Sequence, residues 1–416
     1  MNILVLGSGA REHAIATKFK ESNRVEKVVV SPGNGGIEID FECVELNSFS
    51  IIAEYVFNNK IDIVFVGPEQ PLSEGIVDYL QERKIKVIGP SRKASQIESS
   101  KSFAKELMKK CDVPTADYEV FFSYDDAHKY IQTCKFPVVY KADGLAAGKG
   151  VVIIENKEQA ESELKEFMLD SKFGSAGAIL VIEEFLVGWE TSLFAFCDGT
   201  NFITTVFSMD HKQLGENDLG PNTGGMGAIA PIIEAERYKY DIEKSVFAPI
   251  LAEMKEQGMP YSGVLYCGLM ITESGAKVIE FNCRFGDPET QVVLPLLKSD
   301  FVDVCEGILN ENITDVNLLW EDQFAVNIVL ASGGYPASYK KGYEIELPEL
   351  EEGSKIYFAG VKKKNEKLLT NGGRVLGITQ LGYHREDVIK KAYKYSDMIK
   401  FTDRVCRRDI GNRSNR

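Results

Sequence analysis

Short apolar runs rich in β-branched residues punctuate the N-terminal part of the chain at 3–6, 27–30, 61–66 and 86–88, and each stops at Gly7, Ser31-Pro32, Gly67 or Gly89. An unbroken apolar strand, unlike an alternating one, is buried on both faces, which places it in a parallel sheet covered by helices on each side. The helical pattern at 12–20 supplies the first crossover. Residues 1–100 are therefore expected to form a Rossmann-like α/β domain. Beyond Ser100 the texture changes. Strands between 138 and 284 are longer and hairpin-like, with helices expected at 157–168 and 238–257. From Phe324 onward come short strands, the turns Ser332-Gly333-Gly334-Tyr335-Pro336 and Thr370-Asn371-Gly372-Gly373, and one amphipathic helix at 386–397. A chain of 416 residues has room for several such domains.

The net charge of -14 argues against a general nucleic-acid binder, which needs a basic face, but leaves room for a basic pocket. The eight cysteines are scattered without a C-x-x-C pair, as expected of reduced thiols. The start lacks a basic leader, and no apolar stretch approaches the ~20 residues that span a bilayer. A cytoplasmic protein without membrane or nucleic-acid partners is expected.

Several stretches carry chemistry. Gly7-Ser8-Gly9-Ala10-Arg11 lies between the first strand and helix, where backbone N–H groups and a guanidinium suit a phosphate. A dinucleotide fingerprint is disfavoured, because Glu12 takes the third glycine position and the second strand lacks a terminal acid. Taken alone, the turn reads almost as well as one without a ligand. The strand ending in Lys141 leads into Asp143-Gly144-Leu145-Ala146-Ala147-Gly148-Lys149-Gly150 and then a second strand. Its spacing is not that of a Walker loop. This is a hairpin tip able to cover phosphates, or else an exposed hairpin.

At 278–285, alternation puts Ile279, Phe281 and Cys283 on the core face and Glu280, Asn282 and Arg284 on the other. A carboxylate and an amide oxygen two residues apart suit Mg²⁺ shared with phosphates. Glu183-Glu184-Phe185-Leu186, followed by Glu190, makes a corner able to hold a purine, or a plain domain crossover. The long Gly/Asn/Thr-rich stretch after Asp210-His211-Lys212 reads as a substrate loop. The four histidines form no metal-ligand pattern.

In this order the pieces resemble the phosphoribosylamine–glycine ligase (glycinamide ribonucleotide synthetase) family of the ATP-grasp superfamily. The matching stretches are Arg11-Glu12-His13, Val66-Gly67-Pro68-Glu69, 141–150, 182–186, 220–228, 278–291, 370–375 and Asp409-Ile410-Gly411. Arg284-Phe285-Gly286-Asp287-Pro288-Glu289 is the most specific, whereas the 144–150 loop is shared across the superfamily. The resemblance implies a multidomain α/β and α+β fold. Its parts are a Rossmann-like domain at 1–100, an ATP-grasp domain at 101–325 with a small clasping subdomain near 114–187, and a β-rich C-terminal domain at 326–416. It implies ligation of glycine to 5-phosphoribosylamine with ATP and Mg²⁺ or Mn²⁺, by a monomer or weak dimer.

Carried over by position, Glu280 and Asn282 would hold the metal, and Lys101, Lys141, Gly148, Lys149 and Gly150 would face the ATP phosphates. Glu183, Glu184, Phe185 and Leu186 would meet adenine, and Glu190 the ribose. Phosphoribosylamine would lie among Gly9, Arg11, Glu69, Asp210, Lys212, Asn222, Thr223, Gly224 and Gly225, and Arg284 with Asp287 would take the glycine carboxylate. Lys141, Lys149 and Arg284 would be catalytic through charge. Ala10, Gln213 and Asn412 depart from the usual Gly, Arg and aromatic residue. A nicotinamide-dependent oxidoreductase would leave Glu280-Phe281-Asn282 unexplained. A non-catalytic nucleotide binder would not need both metal ligands and three lysines, and another ATP-grasp ligase or carboxylase fits 284–291 poorly.

Overall fold

The computed structural model describes residues 1–145, 150–170, 172 and 174–412. Strands β1 (Asn2–Gly7), β2 (Lys27–Pro32), β3 (Glu42–Cys43), β4 (Ile63–Val66) and β5 (Val87–Ile88) form a parallel sheet in the order β3-β2-β1-β4-β5. Leu4, Leu6, Val64 and Val66 enter one core, while Ile3, Val5, Ile63 and Phe65 enter another on the opposite face. That is the two-sided burial implied by unbroken apolar runs. The two-residue β3 was not foreseen, being too short to leave a pattern.

Next come β6 (Tyr118–Phe121), β7 (Val138–Ala142), β8 (Val151–Ile154) and β9 (Leu180–Glu184), an antiparallel sheet in the order β6-β9-β7-β8. With helices Tyr124–Ile131 and Lys157–Met168 it encloses its own core, which includes Ile131, Tyr140, Leu164, Phe167 and Ile182. β7 pairs with β8 as the expected hairpin, closed at its root by Ala142 N donating to Gly150 O (2.8 Å). The expected phosphate contacts Gly148 and Lys149 lie outside the described residues.

β10 (Trp189–Asp198) and β11 (Phe202–Thr204) join a central antiparallel sheet, whereas β12 (Met209–Asp210) and β13 (Gly227–Ala230) do not. The central sheet is completed by β14 (Ser262–Thr272) and β15 (Gly275–Asn282), in the order β11-β10-β14-β15. β12 and β13 instead continue the C-terminal sheet through β16 (Phe324–Ser332). That sheet adds β17 (Ser354–Phe358) and, after the hairpin of β18 (Val361–Lys364) and β19 (Lys367–Thr370), β20 (Arg374–Gly382). Its order is β12-β13-β16-β20-β17, with β21 (Arg404–Val405) beside β16. The loop between β12 and β13 is thus rooted in the C-terminal sheet. The helix expected at 238–257 is interrupted by a π-turn at Glu243–Phe247. There Pro249 brings no N–H to the ladder, and Ala248 N reaches back to Glu243 O.

Candidate active site

A cleft of about 450 Å³ opens where the sheets converge, lined by cations at both ends and carboxylates between them. One end is built on helix Lys101–Lys110, which starts at Ser100, whose hydroxyl accepts from Phe103 N. Lys101 and Lys105, four residues apart, share a helix face, and Lys141 projects from β7. The Lys141 Nζ donates to Glu183 Oε2 (2.9 Å) and Ile279 O (3.0 Å), and Lys105 lies 3.1 Å from the same Glu183 oxygen. Glu183 is thereby the anionic partner that a buried Lys141 requires. Its Oε1 is buried without a hydrogen-bond partner among the described residues, an acceptor suited to an incoming amino group. Burial outweighs Glu183 and brings Lys105 down to about 8, and burial likewise lowers Lys101. Glu184, Phe185 and Leu186 continue the lining, as do Gly150 and Glu190.

Mid-cleft, Glu280 and Asn282 stand two residues apart on β15 and both line the cavity as expected. Ile279, expected on the core face, is half-buried and lines the cavity too, because a β-bulge leaves it unpaired and gives its core place to Val278. Burial opposes ionisation of Glu280, yet Lys212, Lys141, Lys101 and Arg284 outweigh it and lower its pKa. The surroundings orient the Asn282 amide so that its NH₂ donates to Glu98 Oε1 (3.0 Å) and Phe281 O (3.2 Å), which leaves the amide oxygen out of that contact. Among the described residues, no group of three or more His, Cys, Asp or Glu side chains is arranged to hold a metal. Two hard oxygens facing a cleft fit a divalent cation whose remaining ligands are phosphate oxygens. Lys212 sits 3.2 Å from Glu190 and 3.8 Å from Glu280. Burial, then Glu289, pushes Asp210 up to about 8, so this crowded region does not hold all its carboxylates charged at neutral pH.

The far end is arginine-rich. The Arg284 Nε lies 3.2 Å from Glu69, and its Nη2 donates to Glu98 (2.8 Å). Burial outweighs Arg284 in raising Glu98, yet Arg284, Cys283 N (2.7 Å) and the Asn282 amide all donate to that carboxylate. Three donors, one of them a guanidinium, work against that rise by favouring the charged form. Arg284 and Arg11 overcome burial to hold Glu69 at about 2. Arg11 is buried, bonded to Glu12 (2.5 Å) and Phe285 O (3.2 Å). Asn222, Thr223, Gly224 and Asp287 also line this end.

Two expected contacts fall outside the cleft lining. Gly9 N donates to Glu12 Oε2 (2.7 Å), so Glu12 occupies the helix N-terminus that a dinucleotide phosphate would need. A Cβ at Gly67 would come within 2.2 Å of that Glu12 carboxylate, which is why glycine stands there. Gly225, at φ +108°, lies where a Cβ would press within 2.3 Å of Pro288. Sequence reasoning missed Glu12, Glu98, Lys105, Glu289 and Arg374. Arg374 reaches in from β20, donating to Asp287 O (2.8 Å) with its Nη2 3.2 Å from Asp287 Oδ2. The spacing of Lys105 from Lys101 was the legible signal among these.

Family models for phosphoribosylglycinamide synthetase match consecutive parts of the chain: the N domain at 1–98, the ATP-grasp (A) domain at 99–290 and the C domain at 325–413. The phosphoribosylamine–glycine ligase of Caldanaerobacter subterraneus subsp. tengcongensis is 46% identical, covering 99% of each chain. That of Halalkalibacterium halodurans is 45% identical over 100% of this chain and 97% of its own. The crystal structure of the phosphoribosylamine–glycine ligase of Thermotoga maritima superposes with a TM-score of 0.87 at 34% identity, covering 99% of this chain and all of the other. A biotin carboxylase from Campylobacter jejuni shares the fold alone, with a TM-score of 0.73 at 15% identity over 97% of this chain and 92% of the other. With all three domain models matched in order and full-length relatives this similar, the chain belongs to the phosphoribosylamine–glycine ligase family of ATP-grasp enzymes.

Proposed function

We propose that this protein joins glycine to 5-phosphoribosylamine at the expense of ATP, giving glycinamide ribonucleotide, ADP and phosphate in cytoplasmic purine synthesis. The supporting observation is the polarity of one cleft: lysines at one end, arginines at the other, and Glu280 with Asn282 between them. ATP would lie along the lysine end, its adenine against 184–186 with the amino group toward Glu183 Oε1, its ribose by Glu190 and its phosphates toward Lys101 and Lys141. Glu280 and Asn282 would hold Mg²⁺ or Mn²⁺, which when bound supplies charge neutralisation to phosphate oxygens. Arg284, with three N–H groups engaged by Glu69, Glu98 and Phe285 O, has others to offer the glycine carboxylate beside Asp287.

Forming an amide from a free carboxylate is uphill, so the carboxylate oxygen attacks the γ-phosphorus, releasing ADP and leaving glycyl phosphate. The amine of phosphoribosylamine then attacks the acyl carbon, loses a proton and expels phosphate. Neither step needs a protein nucleophile; the side chains align reactants and offset charge. The domains fall near 1–100, 101–325 and 326–416, with a clasping part near 114–187. A monomer or weak dimer suffices, because the cleft is built within one chain. ADP release is the direct test. It should require glycine and phosphoribosylamine together, and full-rate release with the amine omitted would refute the proposed acceptor.

A further inference from the structure

The loop between β12 and β13 carries Lys212 and Asn222–Gly224 into the cleft while its tip stands away from it. Its foot is closed by Thr223 N and Oγ1 donating to Lys212 O (2.7 Å each) and by Leu214 N donating to Pro221 O (3.0 Å). The tip turns through Asn217 and Asp218, both at positive φ (57° and 58°). Against this tip lies the guanidinium of Arg407, whose side chain is 0% exposed. Its Nε and Nη2 meet Asp409 in a two-pronged pair (2.5 and 2.9 Å), Nη2 donates to Asp218 (2.9 Å), and Nη1 donates to Gln213 O (3.2 Å). Asp409 also accepts from Asn217 N (2.9 Å). On the other side, the Tyr393 hydroxyl donates to Arg407 O (3.0 Å) and accepts from Ile410 N (2.8 Å), tying this segment to helix Arg385–Met398.

We propose that Arg407 is a positioning residue: paired with Asp409, it clamps the tip of the 211–226 loop to the C-terminal helix and so keeps Asn222–Gly224 beside Asp287 and Arg374. The planar fork fixes direction as well as charge, which an ammonium cannot do. The clamped loop lines the cleft beside Asp287 and Arg374, whereas the lysine end rests on helix Lys101–Lys110 and β7, which the clamp does not touch. Its effect therefore falls first on the amine acceptor, because Lys212, beside Glu190 and Glu280, is held at the loop's foot by Thr223 rather than at the clamped tip, an assignment that rests on the function proposed above.

The test is Arg407→Lys in the full chain. KM for phosphoribosylamine should rise at least about tenfold while KM for ATP stays within about twofold. Amide hydrogen exchange over 214–219 should quicken. Equal rises for both substrates, an unchanged acceptor KM, or unchanged exchange would overturn the clamp. Should that variant not fold, Asp218→Asn takes the charge from one prong at the loop itself and should shift the same two readouts the same way but less. Unchanged readouts in that variant would also overturn the clamp. Exchange is read without substrate, so the clamp remains testable even if the acceptor proves to be a different amine.

Discussion

Glu280 is held ionised against its own burial by a ring of cations with Lys212 foremost, and it sits where the phosphates of the proposed ATP would pass. Glu280→Gln keeps the shape and removes the charge. Turnover should fall by roughly 10²–10³-fold, the loss of several kcal/mol of charge stabilisation. The urea midpoint should stay close to wild type. Near-normal turnover would remove Glu280 from the mechanism. Its side of β15 was readable in advance because a strand's period of two is written into consecutive residues. Glu98 was not readable, because it gains its meaning from Arg284, 186 positions away, and no local pattern encodes that pairing. Arg374 hid for the same reason, its cleft contacts being to Gly224, Gly225 and Asp287.

The hairpin of β7 and β8 and helix Lys101–Lys110 are separate elements that share one carboxylate. Asp143, at the hairpin's root, accepts from Ser102 N (2.6 Å) and from the Ser100 hydroxyl, while Lys101 N donates to Asp143 O (3.1 Å) and Lys101 Nζ to Gly144 O (3.2 Å). Asp143 therefore caps the helix that carries Lys101 and Lys105 and sets the hairpin against it. Asp143→Ala should cost about 1 kcal/mol, as loss of a helix cap does. That is a melting shift of only about 1 °C in a chain of this size. KM for ATP should nonetheless rise several-fold, since both lysines lose their register with the hairpin. A melting shift without a change in KM would show that the cap is structural alone. The elements themselves were largely legible, since apolar runs and glycine turns are local signals. Membership of sheets was less so: β12 and β13 leave the central sheet for the C-terminal one, a choice made by pairing with β16 far along the chain.

At the scale of the whole molecule, the first helix is tied to the C-terminal sheet through His13, which is fully buried. Its Nδ1 accepts from Phe358 N on β17 (3.1 Å), so the ring's proton sits on Nε2, facing Asp40 Oδ2 (3.2 Å), which Lys355 of the same strand also contacts (2.7 Å). A second proton would have to go on Nδ1, against the Phe358 N–H. Burial accordingly lowers the His13 pKa below 6.5 despite Asp40. In the window beneath 6.5 the unfolded chain binds a proton that the folded chain refuses, so stability falls as pH falls through it. Asp40 is lowered as well, held below its ordinary range chiefly by its bond to His13, and its contribution is lost only in stronger acid. Comparing the change between pH 7.5 and 5.5 in the wild type with that in a variant lacking the imidazole isolates His13, because the other groups of the cleft titrate alike in both. His13→Asn keeps an acceptor for Phe358 N but does not titrate. It should lose about 1–2 kcal/mol at pH 7.5, where the Asp40 contact goes. Its stability in urea should then change less between pH 7.5 and 5.5 than that of the wild type. A variant that kept the full wild-type pH slope would place the acid-sensitive contact elsewhere than this junction between the first and last domains.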